Sequence, residues 1–399
     1  MSDITPLILK KREERRLRAG HLWVFSNEVD TRKTPLTEFE PGQAVEIKDA
    51  NDKFLGNGYI NPHSLICARL VSRDQKYTLG RSLLIDRLNI ALSLRNRLFD
   101  KPYYRLVFGE GDGLPGLVID RFDDVLVVQI TTAGMERHKE DIVTALQKVL
   151  QPTAILFRND VGIRELEGLD SYVEHALEQQ PDQIQIIENN TRFEVPLLGG
   201  QKTGWFYDHR QNRSRLQHYA QGKRVLDVFS YCGAWGIQAA QAGASEVICV
   251  DSSESALQAA QHNAELNNVS DQLGTLRSDA FEGLKALHEN GEKFDVVITD
   301  PPAFIKRRKD KKNGVLAYQR INQLAMRLLN RDGLLVAASC SFHMSGTEFT
   351  NALLKSSRHI DRNMQILEQG HQAADHPVHP AITETNYLKA FFCRILPTR

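Results

Sequence analysis

The spacing of apolar and polar residues changes along this chain. In the first 75 residues, short alternating runs predict strands around Val45–Lys48, Phe54–Asn61 and Ile66–Leu70, with Asn-Asp and Asn-Pro turns between them. Residues 80–99 then carry apolar side chains at helical spacing, which predicts a connecting helix. We therefore expect the chain to begin with a small, barrel-like β module whose entry is basic and helix-prone.

The pattern changes twice more toward the C-terminus. From residue 103 to about 190, strands mix with a helix predicted over about 136–150, as in a small α+β domain. After about residue 191, the runs RVLDVFSY, EVICVD, GTLRSD, FDVVITD and LLVAAS alternate with segments of helical length. This alternation predicts an α/β fold with a Rossmann-like, doubly wound parallel sheet, and the late run NYLKAFFCRIL adds a strand expected to be antiparallel. The predicted domains are 1–75, 76–190 and 191–399.

The length and composition are those of a soluble, multidomain protein. A chain of 399 residues exceeds one ordinary core, and 41% apolar and 25% charged residues are globular values. No run approaches the roughly 18 apolar residues of a membrane span. The N-terminus lacks the order of a secretory signal, so we expect a cytoplasmic protein without a membrane partner. The five cysteines form no CxxC pair, which argues against a disulfide framework and against a metal site.

The formal net charge is zero, but two runs concentrate positive charge. KKREERRLR at 10–18 and KRRKDKKNG at 306–314 each hold six cations against one or two acids. Such runs are usually solvated surface. The second run directly follows a strand end at the predicted ligand edge, however, and a phosphate-bearing substrate explains that position better than solubility does.

The residues just after each predicted strand carry the candidate chemistry, because ligands of open α/β sheets bind beyond the carboxyl ends of the strands. The first run ends in DVFSYCGAWG, where Gly233 and Gly236 open a helix and let backbone N–H groups approach a ligand. Bulky Tyr231 and Trp235 make it a poor dinucleotide fingerprint, and taken alone it is equally well a tight turn.

Two aspartates follow the next two strands. Asp251 can accept hydrogen bonds from a ribose diol, and Asp279 can face an adenine amino group. A strand-end aspartate can instead cap the following helix, as can Ser252 and Ser253. Taken together at successive strand ends, these residues favour a cofactor with a ribose and an adenine but without a diphosphate.

The fourth and fifth strands end in Asp300 and Cys340. Pro301 and Pro302 deny the chain a helix after Asp300 and fix its backbone for close approach to a flat ligand. Because these strands are neighbours in a doubly wound sheet, Asp300 and Cys340 should lie side by side. Cys340 is either a small core residue or a nucleophile, and its carboxylate neighbour favours the second interpretation.

The motifs LDVFSYCGAWG, VDSS, SDAF, TDPPAF and AASCS together resemble S-adenosylmethionine-dependent RNA methyltransferases, in particular their cytosine-C5 branch. GQKTGWFYDHRQNR (200–213) and GEGDGLPGLVIDR (109–121) are similar to the RlmI-type family of large-subunit (23S) ribosomal RNA cytosine-C5 methyltransferases, and the match covers nearly the whole chain. This resemblance implies a PUA RNA-binding domain, then a small β-rich domain, then a methyltransferase domain. It also implies S-adenosylmethionine as cofactor and ribosomal RNA as partner.

Carried over residue by residue, the resemblance implies a role for each matching position. Cys340 would attack the cytosine, and Asp300, protonated or sharing a proton with N3, would meet the base. The residues implied in cofactor binding are Asp227, Phe229, Gly233, Asp251, Ser252, Asp279 and Asp300. Those implied in RNA contact are Lys11, Arg12, Pro301, Pro302, Phe304, Lys306, Arg307 and Arg308. Those implied in lining the pocket, without assigned roles, are Gln201, Lys202, Thr203, Phe206, Asp208 and Arg210.

One position departs from the pattern of many RNA cytosine-C5 methyltransferases. Ala303 stands where a second cysteine follows the two prolines and assists product release, which leaves open what removes the C5 proton. Two alternatives remain. The first is methylation of an exocyclic amino group, which suits Asp-Pro-Pro followed by an aromatic residue and needs no thiol, and the second is a non-catalytic RNA-binding assembly factor. The strands of the middle domain would also permit a homodimer.

Overall fold

The chain divides into two compact units in the computed structural model, which describes residues 4–178, 182–198, 200 and 203–398. The first unit comprises Met1–Asp182, Leu197–Trp205 and Ala374–Thr385, and the second comprises Gln183–Pro196, Phe206–Ala373 and Asn386–Arg399. The division at residues 75 and 190 stays a prediction. Over the described ranges, none of the helices combines the length and the apolar character that crossing a bilayer requires.

The first unit contains two five-stranded sheets and their helices. Its strands are β1 (Thr5–Ile8), β2 (Trp23–Phe25), β3 (Gln43–Lys48), β4 (Phe54–Ile60), β5 (Ile66–Ser72), β6 (Tyr103–Phe108), β7 (Leu117–Phe122), β8 (Val125–Ile130), β9 (Ala154–Arg158) and β10 (Val173–His175). Its α-helices are α1 (Glu14–Arg18), α2 (Arg81–Leu98), α3 (Ala133–Arg137) and α4 (Lys139–Leu150). Its 3-10 helices are Ser26–Glu28, Leu36–Glu38, Gly109–Asp112, Gly162–Glu167 and Thr383–Thr385.

Both sheets of the first unit are built from strands with many buried positions, and β8 and β9 are buried throughout. One sheet has the strand order β1-β3-β4-β5-β2, and its predicted strands are confirmed with bounds that differ by one or two residues. The other has the order β10-β9-β8-β7-β6, and its core includes Leu84, Leu88 and Ala91 of α2, so the predicted connecting helix is also confirmed. The helix predicted over about 136–150 is two helices, α3 and α4, separated at His138, where the backbone leaves helical geometry.

The second unit contains a β-hairpin and a seven-stranded sheet. Its strands are β11 (Gln183–Glu188), β12 (Thr191–Pro196), β13 (Arg224–Val228), β14 (Glu246–Asp251), β15 (Leu273–Arg277), β16 (Phe294–Thr299), β17 (Leu329–Ser339), β18 (Arg362–Gly370) and β19 (Lys389–Pro397). Its α-helices are α5 (Arg210–Ala220), α6 (Ala234–Gln241), α7 (Glu254–Leu266), α8 (Ala280–Glu289), α9 (Lys311–Arg327) and α10 (Gly346–His359). Its 3-10 helices are Tyr207–His209, Ser270–Gln272 and Arg308–Asp310.

The large sheet confirms the predicted doubly wound topology. Its order is β15-β14-β13-β16-β17-β19-β18, parallel as far as β17, with β19 antiparallel to both neighbours. The chain order reverses at β13, and ligands of such sheets bind at this switch point. The strand β18 was missed from the sequence, because its polar run alternates only between exposed and half-buried positions.

Side-chain caps fix the start of three helices of this sheet. Ser253 accepts a hydrogen bond from the Ala256 N–H at the start of α7, and Asp279 accepts those of Phe281 and Glu282 at the start of α8. Ser345 and Glu348 form a capping box on α10. Such caps satisfy N–H groups that have no partner within the helix and hold the preceding loops in place.

An aspartate lies inside the sheet on β13. Asp227 is fully buried, and its Oδ2 accepts the Gly236 N–H at 2.9 Å, whereas its Oδ1 has no hydrogen-bond partner among the described residues. Burial raises the pKa of Asp227 to about 7, and the negative charges of Asp300 and Asp251 act in the same direction. The carboxyl group therefore keeps its proton up to nearly neutral pH.

We expect Asp227→Asn to make stability less dependent on pH. An unfolded aspartate titrates near pH ~4, so the buried wild-type group lowers stability progressively as pH rises from there, by roughly 1.4 kcal/mol per unit of pKa shift. This loss ends near the folded pKa of about 7. Asparagine cannot ionise and keeps an acceptor for Gly236. The unfolding temperature of the cofactor-free variant, minus that of the wild type, should therefore increase between pH ~5 and pH ~8.

The exposed residue Asp86 provides the matched control. Asp86→Asn should show the same difference from the wild type at both ends of the pH range. A constant difference for Asp227→Asn as well would contradict a protonated Asp227.

Candidate active site

The turn between β13 and α6 has a backbone that few side chains tolerate. Phe229, Tyr231 and Gly233 all have positive φ, of 67°, 49° and 79°. The positive φ of Gly233 favours glycine, and a Cβ there would also lie 2.8 Å from Ile237 Cδ1, which would have to shift. The turn brings the backbone and the N-terminus of α6 to the carboxyl edge of the sheet, where the sequence placed the cofactor.

Asp251 at the end of β14 is held by the backbone of two loops. Its Oδ2 accepts the Tyr231 N–H at 3.0 Å, and its Oδ1 accepts the Ser253 N–H at 2.9 Å. Each carboxylate oxygen has a second lone pair, so Asp251 can still accept two hydroxyl hydrogen bonds. The capping role falls to Ser253, and Ser252 is exposed.

Asp279 is an exposed residue whose Oδ1 caps α8. It accepts the N–H groups of Phe281 at 2.9 Å and Glu282 at 3.3 Å. Both interpretations of this residue are compatible with that geometry, because the cap uses one oxygen of the carboxylate.

Asp300, after β16, lies between an indole and an imidazole. Trp235 Nε1 donates to Oδ2 at 3.0 Å, and His209 Nε2 lies 3.2 Å from Oδ1. Burial acts to raise the pKa of Asp300, but the charge and hydrogen bond of His209 and the hydrogen bond of Trp235 outweigh it and hold this pKa below its usual value. Of the two forms considered from the sequence, Asp300 is therefore in the ionised one at neutral pH.

His209 is a site residue that sequence reasoning missed. The Asn212 amide nitrogen lies 3.2 Å from His209 Nδ1 and also donates to the His371 carbonyl oxygen at 3.1 Å. Because an ionised carboxylate only accepts hydrogen bonds, Nε2 of His209 carries a proton and donates it toward Asp300. The Trp235 ring packs against the imidazole with centroids 5.2 Å apart. The sequence indicates His209 only by its position between Asp208 and Arg210, two of the predicted pocket residues.

Cys340 is the first residue after β17, and its thiol is partly exposed. Its Sγ lies 3.8 Å from the Pro301 carbonyl oxygen, so the structure brings the fourth and fifth strand ends together. The next residue, Ser341, joins the two loops, since its Oγ accepts the Ile305 N–H at 3.1 Å and lies 2.9 Å from the Tyr318 hydroxyl.

The other four cysteines are buried. Burial raises the pKa of Cys67, Cys232 and Cys393 to about 12 and that of Cys249 well above its usual value. These thiols are inert at neutral pH. Among the five cysteines, Cys340 is thus the one that a ligand can reach.

Lys389 is a second residue that the sequence did not indicate. It is the first residue of β19, and its Nζ donates to the carbonyl oxygens of Ser341 and Tyr387, both at 2.7 Å. Because β19 is antiparallel to β17, it begins at the edge where β17 ends. The first residue of an antiparallel strand therefore lies at the ligand edge, whereas in parallel strands it is the last residue that lies there.

The residues after Asp300 differ in exposure. Pro301 is buried and Pro302 is exposed, whereas Ala303 and Phe304 are half-buried. The Phe304 ring packs in an aromatic cluster, 4.8 Å from Tyr318 between ring centroids.

The described pocket residues predicted from 200–213 are divided between the two units. Gln201 and Lys202 lie outside the described residues. In the first unit, Thr203 donates to Asp120 Oδ2 at 2.5 Å.

The remaining three predicted pocket residues belong to the second unit. Phe206 packs edge-on against Tyr231 of the β13–α6 turn, with ring centroids 5.8 Å apart. Asp208 accepts the Tyr387 hydroxyl at 2.5 Å, and Arg210 Nε lies 3.6 Å from an oxygen of Glu188. Of these three, Phe206 thus contacts the predicted cofactor turn.

The cations predicted to contact RNA are on the surface. In the second unit, Lys306, Arg307 and Arg308 are exposed, and Arg307 pairs with Asp310 at 3.2 Å. In the first unit, Lys11 and Arg12 are exposed.

The residues at the sheet edge fit the cofactor that the motifs imply. S-adenosylmethionine carries a ribose diol and an adenine but no phosphate. The edge offers it the free lone pairs of the Asp251 carboxylate and a turn that favours glycine at 233. Across the described part of the chain, no group of three His, Cys, Asp or Glu side chains could hold a metal ion.

Known proteins share the fold and the sequence over nearly the whole chain. A putative methyltransferase complexed with SAH has a TM-score of 0.84 at 24% identity, covering 98% of this chain and 100% of that chain. A putative S-adenosylmethionine-dependent methyltransferase from Streptococcus mutans has a TM-score of 0.82 at 23% identity, with the same coverage. These structures confirm the predicted fold class.

Two family patterns match the sequence, and close relatives carry one common name. Residues 7–73 match a PUA-like domain, and residues 105–394 match the S-adenosylmethionine-dependent methyltransferases, which confirms the predicted cofactor. A protein of Erwinia tasmaniensis named ribosomal RNA large subunit methyltransferase I is 38% identical, covering 98% of this chain and 99% of that protein. Its namesake in Aliivibrio fischeri is 37% identical with the same coverage. The chain therefore belongs to the ribosomal RNA large subunit methyltransferase I family of S-adenosylmethionine-dependent methyltransferases.

Proposed function

We propose that this methyltransferase modifies C5 of a cytosine in large-subunit (23S) ribosomal RNA, with Cys340 as the nucleophile. The observation that carries the proposal is the reachable thiol of Cys340 at a strand end, 3.8 Å from the carbonyl oxygen that follows Asp300. The names of the relatives support the ribosomal substrate. The choice of C5 rests on the thiol, because methylation of a nitrogen atom does not need one.

The thiolate of Cys340 would make C5 reactive. Cytosine C5 is a weak carbon nucleophile, and addition of the thiolate to C6 turns the ring into an enamine-like species with a more nucleophilic C5. Bound S-adenosylmethionine supplies the electrophilic methyl group. After the transfer, the C5 proton passes to water and the electrons of its bond form the C5–C6 double bond. The bond between C6 and sulfur breaks in the same step, and Cys340 is released as a thiolate.

Asp300 would orient the base and stabilise charge in its ring. As a carboxylate, it can accept a hydrogen bond from the cytosine amino group and hold a proton at N3 as addition proceeds. Trp235 and His209 donate to its two oxygens and so fix the plane of the carboxylate. Preorganised groups of this kind do not have to rearrange during the reaction, which lowers the barrier.

RNA binding would use the surface cations of both units. The PUA-like domain at residues 7–73 contains the exposed Lys11 and Arg12, and the loop after the Asp-Pro-Pro segment contains Lys306, Arg307 and Arg308. Contacts of such side chains with phosphates add affinity that depends on salt. They would also help to offset the few kcal/mol needed to take a cytosine out of its stack.

Methylation of an exocyclic amino group is the competing function. The Asp-Pro-Pro segment with a nearby aromatic residue suits that reaction. In this chain the aromatic residue, Phe304, is half-buried and packs against the core, near the rings of Phe229, Phe281 and Tyr318. A ring held in this way is less suited to stacking on a target base, which favours the C5 reaction.

Release of tritium from C5 distinguishes the two reactions. We expect wild-type protein with S-adenosylmethionine to release tritium into water from unmodified large-subunit ribosomal RNA labelled at cytosine C5. Cys340→Ala should lower the rate on the order of 10³-fold or more, as removal of a nucleophile does in other covalent enzymes. Scintillation counting of the water measures the rate.

The controls separate chemistry from folding. Cys340→Ala should still bind S-adenosylmethionine by calorimetry, and Cys67→Ala, at a buried thiol of the first unit, should still release tritium. Methyl incorporation without tritium release would move the reaction to another atom. Full activity of Cys340→Ala would refute the role of its thiol.

The pH dependence of the reaction should report on His209. If the rate needs an ionised Asp300, it falls on the acidic side as Asp300 is protonated. Because His209 lowers the pKa of Asp300, His209→Gln should move the acidic limb of the kcat/KM profile to higher pH. His262→Gln changes a histidine paired with Glu194 and should leave the limb in place. An unmoved limb in His209→Gln would rule out this control of Asp300.

A further inference from the structure

Lys389 and Cys340 lie at the same edge of the sheet. In the pairing of β17 with β19, Ser339 is opposite Lys389, so Lys389 is the cross-strand neighbour of the residue before Cys340. The Lys389 Nζ donates to the carbonyl oxygen of Ser341, the residue after Cys340, at 2.7 Å. The ammonium group is therefore fixed beside the backbone segment that carries the thiol.

The Lys389 side chain is held in place and partly removed from water. Its second hydrogen bond, to the Tyr387 carbonyl oxygen at 2.7 Å, leaves one of the three N–H donors of the ammonium for other partners. Burial is the largest effect on Lys389 and lowers its pKa to about 8. The attraction of the Cys340 thiolate is the second-largest effect and acts to raise this pKa. A charge with restricted access to water acts more strongly on its neighbours than a hydrated one.

The cationic loop is a weaker candidate for acting on the thiol. Lys306, Arg307 and Arg308 are exposed, and the Arg307 guanidinium already pairs with Asp310. Exposed charges are screened by water and salt, and they move among many conformations. Lys389 donates to two carbonyl oxygens. Among the described contacts, none of these three side chains donates two such hydrogen bonds.

We propose that the Lys389 ammonium stabilises the thiolate of Cys340 and so prepares the nucleophile on which the proposed function rests. A nearby cation favours the charged form of a cysteine, which increases the fraction of thiolate at neutral pH. Lys389 is then a positioning residue that acts through Cys340. No bond to Lys389 forms or breaks.

Three ionisable groups near this pair should not change their protonation near neutral pH. Glu348 on α10 also attracts Lys389, and its hydrogen bond from Lys311 is the largest of the effects that lower its own pKa to about 2. On α9, burial raises the pKa of Tyr318. Asp300 after β16 is ionised, as its lowered pKa requires. His209 beside Asp300 and His343 in the loop after β17 are further ionisable side chains, so a change in reactivity is assigned to Lys389 by comparing variants.

The rate at which Cys340 is alkylated tests the proposal. The full-length protein, without RNA or cofactor, is treated with iodoacetamide over a range of pH, and modification of Cys340 is followed by peptide mass spectrometry. The buried cysteines should react slowly and serve as internal references. Lys389→Met should shift the pH profile upward by about one unit, which makes alkylation about tenfold slower at neutral pH.

Two control variants separate charge from shape. Lys389→Arg keeps a cation and should retain most of the wild-type reactivity. Lys309→Met removes an exposed cation of the loop and should leave the profile unchanged. An unshifted profile in Lys389→Met, or an equal shift in Lys309→Met, would overturn the proposal.

A reciprocal measurement does not depend on folding of the Lys389 variants. If the thiolate stabilises the ammonium, Cys340→Ala should lower the pKa of Lys389 and increase the fraction of neutral amine. Competitive acetylation with acetic anhydride, read by mass spectrometry, should then modify Lys389 faster in Cys340→Ala than in the wild type at neutral pH. Equal rates would contradict the pairing.

These experiments are independent of the tritium assay. A shifted alkylation profile without tritium release would support the role of Lys389 and refute the C5 reaction. Tritium release with an unshifted profile would refute the role of Lys389 and leave the C5 reaction supported.

Discussion

The candidate active site depends on keeping the carboxylate of Asp300 ionised at a largely buried strand end. Removing a carboxylate from water costs several kcal/mol unless hydrogen bonds replace the lost hydration. Trp235 and His209 provide them at 3.0 and 3.2 Å, and they come from α6 and from the 3-10 helix Tyr207–His209. One buried charge thus determines how two separate segments are arranged around the end of β16.

A second set of polar contacts fixes the thiol relative to that carboxylate. Ser341 accepts the Ile305 N–H and contacts the Tyr318 hydroxyl, which ties the loop after β17 to the loop after β16. Loops that are joined in this way hold reacting groups within the narrow range of distances that catalysis needs. Cys340 itself does not have a positive φ. The contacts of the next residue, Ser341, hold the loop that carries the thiol.

The sequence predicted those features that depend on local pattern. Strand periodicity and chain order were sufficient for the doubly wound sheet, in which Cys340 Sγ lies 3.8 Å from the carbonyl oxygen of Pro301, the residue after Asp300. His209 and Lys389 were missed because their roles depend on tertiary contacts. His209 acts on a residue far along the chain, and Lys389 reaches the edge only because β19 is antiparallel.

The fold alone does not select the atom that is methylated. Structures with TM-scores above 0.8 share only 23% to 24% of their residues with this chain, so the fold is kept through wide changes in sequence. The choice between carbon and nitrogen must come from individual groups. In the reaction proposed above, a carbon target requires the Cys340 thiolate, and a nearby cation that water screens little favours that charged form. The half-buried Lys389 meets that requirement better than the exposed loop, although the loop contains more positive charge.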